Sequence, residues 1–429
     1  MNDILFETYL RSRCVTTDSR SITPGCIFFA LKGEHFDGNA FVPQALEQGA
    51  AMCVTSDGRY ASDSRCVVVD DVLAELQRLA AAYRRSLTIP VIGVTGTNGK
   101  TTTKELLHAV LSKRYRTSAT KGNFNNHMGV PLTLLAIPAD TEIAIVEMGA
   151  NHPGEIAFLC GIADPDFGLI TNVGRAHLEG FGSFEGVVRT KTELYRHLAA
   201  KHGTIFVNAD NGRLMQEAAP IAEKRTYGSV AGADVRGTYV DSDPYMHFYF
   251  ELADNVYNVR SHMLGAYNFD NAMAAVAVGM HFGVEPFDIK QAIEGYTPSN
   301  NRSQFKRTGR NSLYLDCYNA NPSSMAAAVE SFRQLQADRK VAIIGGMHEL
   351  GAEEDSEHRK LVEMLAGAGL ERCYLVGPEF SGLPMPENMA LFTDTDALRA
   401  HLQQCPVSGA TVLVKGSNTN RLWELESIL

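Results

Sequence analysis

No stretch of the chain approaches the roughly 18 uninterrupted apolar residues that a membrane-spanning helix needs. The amino-terminal MNDILFETYLRSR carries an acid early within a broken apolar run, so neither a signal peptide nor an anchor is expected. Basic residues are in deficit: 39 Lys and Arg face 49 Asp and Glu. The resulting net charge of -10 argues against general affinity for nucleic acid or anionic membrane, since both need a basic face. Low-complexity tracts and repeat periods are missing, which excludes solenoids and long disordered segments. Cysteine pairing is also missing. The eight cysteines (14, 26, 53, 66, 160, 317, 373 and 405) stand singly, mostly among apolar neighbours, and read as buried thiols of a reducing cytoplasm. MHELG at 347–351 begins like a zinc helix, but Ala352 occupies the place of the second histidine, which removes zinc.

What is present is an alternating α/β pattern over 429 residues, long enough for about three domains at roughly 150 residues each. In residues 1–88, GCIFFALKG, AAMCVTS and RCVVVDD read as strands and VLAELQRLAAAYRRS as a helix, a small α/β unit. Residues 89–297 continue with EIAIVEMG, DFGLITNV and GTIFVNAD, near-continuous apolar runs typical of a parallel sheet covered on both faces. The stretch 232–263, containing YMHFYFEL, reads as an antiparallel addition. Phe269, Met273, Val276 and Met280 recur at helical spacing. YTPSNNRS at 296–303 has linker composition, and residues 298–429 hold a third series with NSLYLDCY, KVAIIGG, RCYLVG and ATVLVKGS as strands.

The most informative stretch is VIGVTGTNGKTTTKELLHAVL, residues 91–111. A strand runs through a Gly-rich turn into a helix, a layout in which backbone N–H groups and the helix dipole converge on an anion. Gly96 and Gly99 remove Cβ atoms where phosphate must approach; Thr97, Asn98 and Thr102 complete the loop. Lys100 would reach the β and γ phosphates and Thr101 would hold Mg²⁺ through its hydroxyl. A common phosphate loop has a glycine with four residues between it and the Gly-Lys pair; that position is Val94, and Gly93 lies one further away, so the loop is a variant. No G-x-G-x-x-G disposes the chain to NAD, and no N-K-x-D follows to read guanine. ATP is the nucleotide expected.

TGTNGKTTT resembles the ATP loop of the Mur ligase family, ATP-dependent enzymes that form amide bonds in peptidoglycan precursors and folate polyglutamates. The resemblance extends in order through TTDSRSITPGCIFFALKGEHFDG (16–38), KGNFNNHMGVPLTLL (121–135), VEMGANHPGEI (146–156) and TNVGRAHLEGFGS (171–183). It continues through KTEL (191–194), YNFDNAMAA (267–275), DCYNANPSSM (316–325) and VKGS (414–417). These blocks are most similar to those of the member that joins D-alanyl-D-alanine to UDP-N-acetylmuramoyl-tripeptide in the cytoplasm. The D-N-P-R box of the sibling that adds the third amino acid is lacking. The implied fold is α/β with three domains: a small UDP-sugar-peptide-binding unit at 1–88, a central P-loop ATPase-type, mostly parallel sheet at 89–297, and a Rossmann-like unit at 298–429. The expected partners are the two small-molecule substrates, with no nucleic acid and no membrane span, and the expected state is a monomer.

The resemblance further implies an acyl phosphate formed from ATP and the tripeptide carboxylate, then attacked by the dipeptide amine. Glu147, at the C-terminal end of a strand, matches the Mg²⁺-binding glutamate, a location that open α/β sheets give to ligand groups. His177 matches a ligand for a second Mg²⁺. Lys191 matches a lysine carbamylated by CO₂, which turns a cation into an anionic oxygen ligand. With Lys100 these are the expected catalytic residues. Asn271 is expected at adenine, Arg302 near the phosphates and Asp316 at the ribose hydroxyls. For the UDP-sugar peptide the matching positions are Asp18, Ser19, Arg20 and Lys32, with Asn125, Asn126 and His127 in a block facing substrate. Asn319, Asn321, Lys415 and Ser417 belong to third-unit blocks of the same kind; side-chain amides suit a peptide substrate.

The chain departs from that pattern at three positions. Tyr267 stands where many relatives have His, Asn301 where Gly is common, and Gly346 where an Asp is usual. Two other readings stay open at this level. A folate polyglutamate ligase shares the loop but normally lacks a separate UDP-binding first unit, and an ATP-driven switch would hydrolyse ATP without an amine acceptor. If each unit contributes to the site, linkers near 88 and 297 are the candidate hinges.

Overall fold

A computed structural model describes residues 3–253, 255–299 and 302–429, with three sheets among them. The first is parallel and runs side by side in chain order: Val15–Thr16, Ile27–Phe29, Met52–Thr55 and Cys66–Val68. The opening helix Asp3–Ser12 and the two-residue strand Val15–Thr16 are too weakly patterned to stand out in the sequence. Asp71 starts the helix Val72–Ser86 by accepting from Ala74 N at 2.9 Å.

That helix does more than cover the first sheet. Leu76, Leu79 and Tyr83 are buried in a core that runs without interruption from Leu5 and Phe29 to Val146, Ile156 and Leu159 of the next unit. Polar bonds reinforce it: Tyr83 Oη donates to Ile137 O at 3.2 Å and Tyr9 Oη to Leu135 O at 2.9 Å. Buried Arg84 donates to the carbonyls of Ala163 and Asp164 and pairs at 2.7 Å with partly exposed Asp166, so its charge is compensated.

The central sheet has nine strands among the described residues, in the order Thr117–Ala119, Ile143–Glu147, Val91–Thr95, Phe167–Ile170, Thr204–Asn208, Lys224–Gly228, Val235–Ser242, Tyr245–Leu252 and Asn255–Leu264. The first seven run parallel, and the seventh, Val235–Ser242, forms an antiparallel meander with the last two, the addition expected from 232–263. Val94 pairs with Glu147 and Thr95 with Ile170, which brings the C-terminal ends of three strands to one edge beneath the phosphate loop. The helices Lys100–Leu111 and Asn268–His281 cover the opposite face, and the Ala-rich side of the second lets the two approach closely.

The third sheet orders as Gln304–Arg307, Ser312–Asp316, Thr411–Lys415, Lys340–Gly345, Arg372–Val376 and Met389–Phe392, parallel except for the first strand. Helices on both faces enclose two cores, a doubly wound Rossmann-like arrangement. The edge strand Gln304–Arg307 carries a single apolar residue, and Met389–Phe392 is apolar but only four residues long, so neither stands out in the sequence. Among the described residues no helix is long and apolar enough to cross a membrane. Cysteines 26, 53, 160, 317 and 373 are buried, 14 and 66 half-buried, and Cys405 is exposed, an exception to the expectation of buried thiols.

Candidate active site

The chain leaves Val91–Thr95 at Gly96, with φ of 142°; a Cβ there would lie 2.0 Å from Thr171 Oγ1. Gly99, with φ of 77°, would place a Cβ 2.5 Å from Asn271 Oδ1. Only glycine satisfies both backbone and space at these two points. The loop is stitched to the segment after the neighbouring strand: Thr97 N donates to Asn172 O at 3.0 Å, Asn98 N to Asn172 Oδ1 at 2.9 Å, and Thr171 Oγ1 to Asn98 O at 2.6 Å. No side chain caps the helix Lys100–Leu111, which leaves its first N–H groups available to an anion.

A cavity of about 640 Å³ opens over this loop, between the central and third units. It gathers Thr97, Asn98, Gly99, Lys100, Thr101 and Thr102 from the loop, with Glu147 and His177 from adjoining strand ends. Asn125, Asn126 and His127 line one side, and Asn271, Arg302, Asp316, Asn319 and Lys415 another. Gly96 lies behind the lining, as its contact with Thr171 requires.

Buried Glu147 is the centre of the polar network. Its carboxylate accepts from Thr101 Oγ1 at 3.0 Å and from Asn125 Nδ2 at 2.8 Å, while its N–H donates to Thr120 Oγ1 at 2.9 Å. A hydroxyl and a carboxylate side by side are hard oxygen donors, the chemistry that suits Mg²⁺. Lys100 Nζ donates to Gly96 O at 2.8 Å and Thr97 O at 3.0 Å, and burial depresses its pKa against the opposing pull of Glu147. Arriving phosphate would supply the counter-charge that this ammonium lacks.

Lys191 sits deeper. Its Nζ donates to Ala150 O at 3.1 Å and lies 5.3 Å from the centre of the Phe181 ring; no ion pair reaches it among the described residues. Burial, and then the charge of Lys100, hold its pKa well below the ordinary lysine range, which shifts the balance toward the neutral amine. His177 has a left-handed backbone with φ of 50°, and its Nδ1 meets the carboxylate of Glu349 from the third unit. Burial lowers its pKa and that carboxylate opposes the shift.

Across the cavity, Asn271 accepts from Thr103 Oγ1 at 3.1 Å and donates to Asn268 Oδ1 at 2.9 Å. The Arg302 guanidinium stacks 3.5 Å from the Tyr318 ring centre. Asp316 and Lys415, assigned separately to ribose and substrate, form an ion pair at 2.5 Å.

Thr101, Glu147, His177 and Lys191, the residues expected around two ions, have different partners here. Thr101 and Glu147 touch each other, His177 turns to Glu349, and Lys191 bonds to a carbonyl; no cluster of three or more His, Cys, Asp or Glu suited to a metal occurs among the described residues. Asn321 and Ser417 line an adjoining cavity of about 390 Å³ with His177 and Asn319. Asp18, Ser19, Arg20 and Lys32 lie on the first unit outside both cavities, with Asp18 and Arg20 paired to each other at 2.8 Å. Of the departures, Tyr267 lines the main cavity and bonds to Ser303 Oγ at 3.0 Å. The space a side chain at Gly346 would need is filled by the Glu379 carboxylate, 2.4 Å from an added Cβ. Asn301 lies outside the described residues.

Sequence reasoning missed Asn172, Tyr318, Ser323 and Glu349. The first three belong to blocks whose neighbours were singled out; Glu349 was passed over when MHELG failed as a zinc motif.

With this geometry in place, comparison with known proteins is direct. Residues 11–94 match the description "Mur ligase family, catalytic domain", 94–279 "Mur ligase middle domain" and 301–418 "Mur ligase, glutamate ligase domain". The chain is 38% identical over 368 residues to a Bacillus subtilis UDP-N-acetylmuramoyl-tripeptide--D-alanyl-D-alanine ligase, covering 85% of this chain and 79% of that protein. Its identity to the Escherichia coli protein of the same name is 35% over 419 residues, 96% of this chain and 92% of that one. The crystal structure of a MurF ligase from Thermotoga maritima in complex with ADP superposes with a TM-score of 0.87 at 29% identity, covering 100% of this chain and 98% of that one. On these grounds the chain belongs to the Mur ligase family.

Proposed function

We propose that the chain is the ATP-dependent ligase that joins D-alanyl-D-alanine to UDP-N-acetylmuramoyl-tripeptide in cytoplasmic peptidoglycan precursor synthesis, acting as a monomer. The observation that carries the reading is the Thr101–Glu147 pair beneath a glycine-built phosphate loop, in a cavity walled by two units. The names of relatives that align over most of their length supply the substrates.

The chemical problem is the approach of one anion to another. The tripeptide carboxylate attacks the γ-phosphorus, the bond to the β–γ bridging oxygen breaks, and ADP departs. Lys100 and the N–H groups of the loop stabilise charge on the transferring group, an arrangement already in place before reaction. The dipeptide amine then attacks the acyl carbon, phosphate leaves, and the nitrogen loses its proton. Thr101 and Glu147 would hold one Mg²⁺; His177 and a carbamate on Lys191 would hold a second. Bound there, these ions supply neutralisation of phosphate and acyl-phosphate charge. The neutral amine, toward which burial shifts Lys191, is the form that adds to CO₂, with loss of a proton. Asn271 holds the adenine, Arg302 lies near the phosphates and Asp316 receives the ribose hydroxyls. Asp18, Ser19, Arg20 and Lys32 receive the uridine diphosphate, and the remaining substrate set is Asn125, Asn126, His127, Asn319, Asn321, Lys415 and Ser417. The functional units are 1–88, 89–297 and 298–429.

The test is phosphate release from ATP and Mg²⁺ with UDP-N-acetylmuramoyl-tripeptide, with and without D-alanyl-D-alanine, using diaminopimelate and lysine forms. Release that needs both substrates, with the pentapeptide seen by mass, is expected. Release indifferent to the acceptor would replace the ligase with an ATP-driven switch.

A further inference from the structure

Two non-glycine residues with left-handed backbone, one from each unit, meet side chain to side chain across the cavity wall: His177 at φ 50° and Glu349 at φ 61°. Histidine is among the residues that enter this region more readily; glutamate is not, so its surroundings must hold it there. They do so from both sides. Glu349 O accepts from Glu179 N at 3.4 Å, and at Gly351 an added Cβ would lie 3.4 Å from Glu179 Cβ, a close seat against the central unit. In the other direction His348 Nδ1 faces Glu379 Oε1 at 3.4 Å, and the Glu379 carboxylate is sunk against Gly346 and Gly377. The turn therefore sends His348 back into its own unit and Glu349 forward to the next. Two residues before His177, Arg175 crosses the same seam to Glu353 at 2.8 Å and Glu357 at 3.6 Å.

The contact uses Nδ1 of the ring. A carboxylate at that atom selects the tautomer with the proton on Nδ1, which leaves Nε2 as the lone-pair donor of a ring that lines the phosphate cavity. We propose that Glu349 is a positioning residue: it fixes the tautomer and plane of His177 so that Nε2 is presented to the second divalent cation, not the one at Thr101 and Glu147. Because Glu349 belongs to the third unit, this orientation exists only when that unit is seated on the central one. The third unit thereby reports its closure to the cation site. The inference rests on the reading of His177 as a ligand in the proposed function.

Mn²⁺ is the probe, titrated by electron paramagnetic resonance against the full chain with a non-hydrolysable ATP analogue and the UDP-tripeptide. Glu349→Ala is expected to weaken one of two bound ions about tenfold or more and to leave the ion at Thr101 and Glu147 unchanged. Glu349→Gln, which retains an acceptor for Nδ1–H, should fall between. The Mg²⁺ concentration for half-maximal phosphate release should rise in parallel while KM for ATP stays within about twofold of wild type. Native circular dichroism in Glu349→Gln keeps the comparison meaningful should the alanine variant fold poorly. Wild-type Mn²⁺ affinity in both variants, or equal weakening of both ions, would overturn the proposal. A wild-type chain that binds two ions yet ligates nothing would instead count against the proposed function.

Discussion

Asn321 donates its amide N–H to Asn98 Oδ1 at 2.8 Å, tying the first turn of a third-unit helix to the middle of the phosphate loop. The same side chain caps its own helix, accepting from Ser324 N at 2.9 Å. One amide thus serves both stability and the seam: its Oδ1 caps the helix and also accepts from Asn98 Nδ2 at 3.4 Å, while its Nδ2 donation belongs to the seam alone.

Asn321→Asp separates them. A carboxylate is an equally good cap but cannot donate to Asn98, so the melting temperature should stay within about 2 °C of wild type. The kcat/KM for ATP should fall about tenfold, the cost of one hydrogen bond and an unpaired acceptor. A rise confined to the KM of the acceptor would return Asn321 to substrate binding.

Lys100→Ala should reduce phosphate release about a thousandfold, the scale of losing a preorganised charge at the transferring group. Binding of UDP-tripeptide, measured by calorimetry, should change less than about twofold. Equal loss of both would indicate unfolding.

Much of this was legible in the sequence because it is local. The phosphate loop, the strand that ends in Glu147, the meander at 232–263 and the helix carrying Met273 and Val276 each write their own pattern within a few residues. What escaped is non-local. The pairing of Asp316 with Lys415 joins residues 99 positions apart, and the meeting of His177 with Glu349 joins residues 172 apart; no periodicity encodes either. Letters identified the participants at Asp316 and Lys415 but assigned them to ligands, since a sequence does not say that two polar groups satisfy each other.

Lys191 provides a pH signature. Its folded pKa lies well below the ordinary 10.5, so between the two values the unfolded chain binds the extra proton and stability rises with pH. In CO₂-free buffer, Lys191→Met should be inactive yet melt higher than wild type at low pH, with the gap narrowing as pH rises toward 10. Scanning calorimetry across pH 6 to 9 checks this. A methionine variant parallel to wild type at every pH would mean that the amine carries no burial penalty.

Gly346→Asp would place a second carboxyl where Glu379 already sits, 2.4 Å from the added Cβ. A loss of about 2 kcal/mol is expected from crowding and like charge. Adding Glu379→Ala should recover most of it, a coupling that a double-mutant cycle measures directly. Additive losses would show that the two positions do not share the space.

The two seams of the molecule differ in kind. The first unit is welded to the central sheet by a hydrophobic core continuous from Leu5 to Leu159, whereas the third is tied to it mainly through amides, ion pairs and a histidine, with the Tyr245–Phe305 ring pair at 5.7 Å beside them. Of the two candidate hinges, the one near 88 is therefore stiffened by close packing, while the polar seam can exchange its bonds for water at little cost. The first unit and the central sheet thus form one packed anvil, and hinge motion on binding is expected at the seam of the third unit alone.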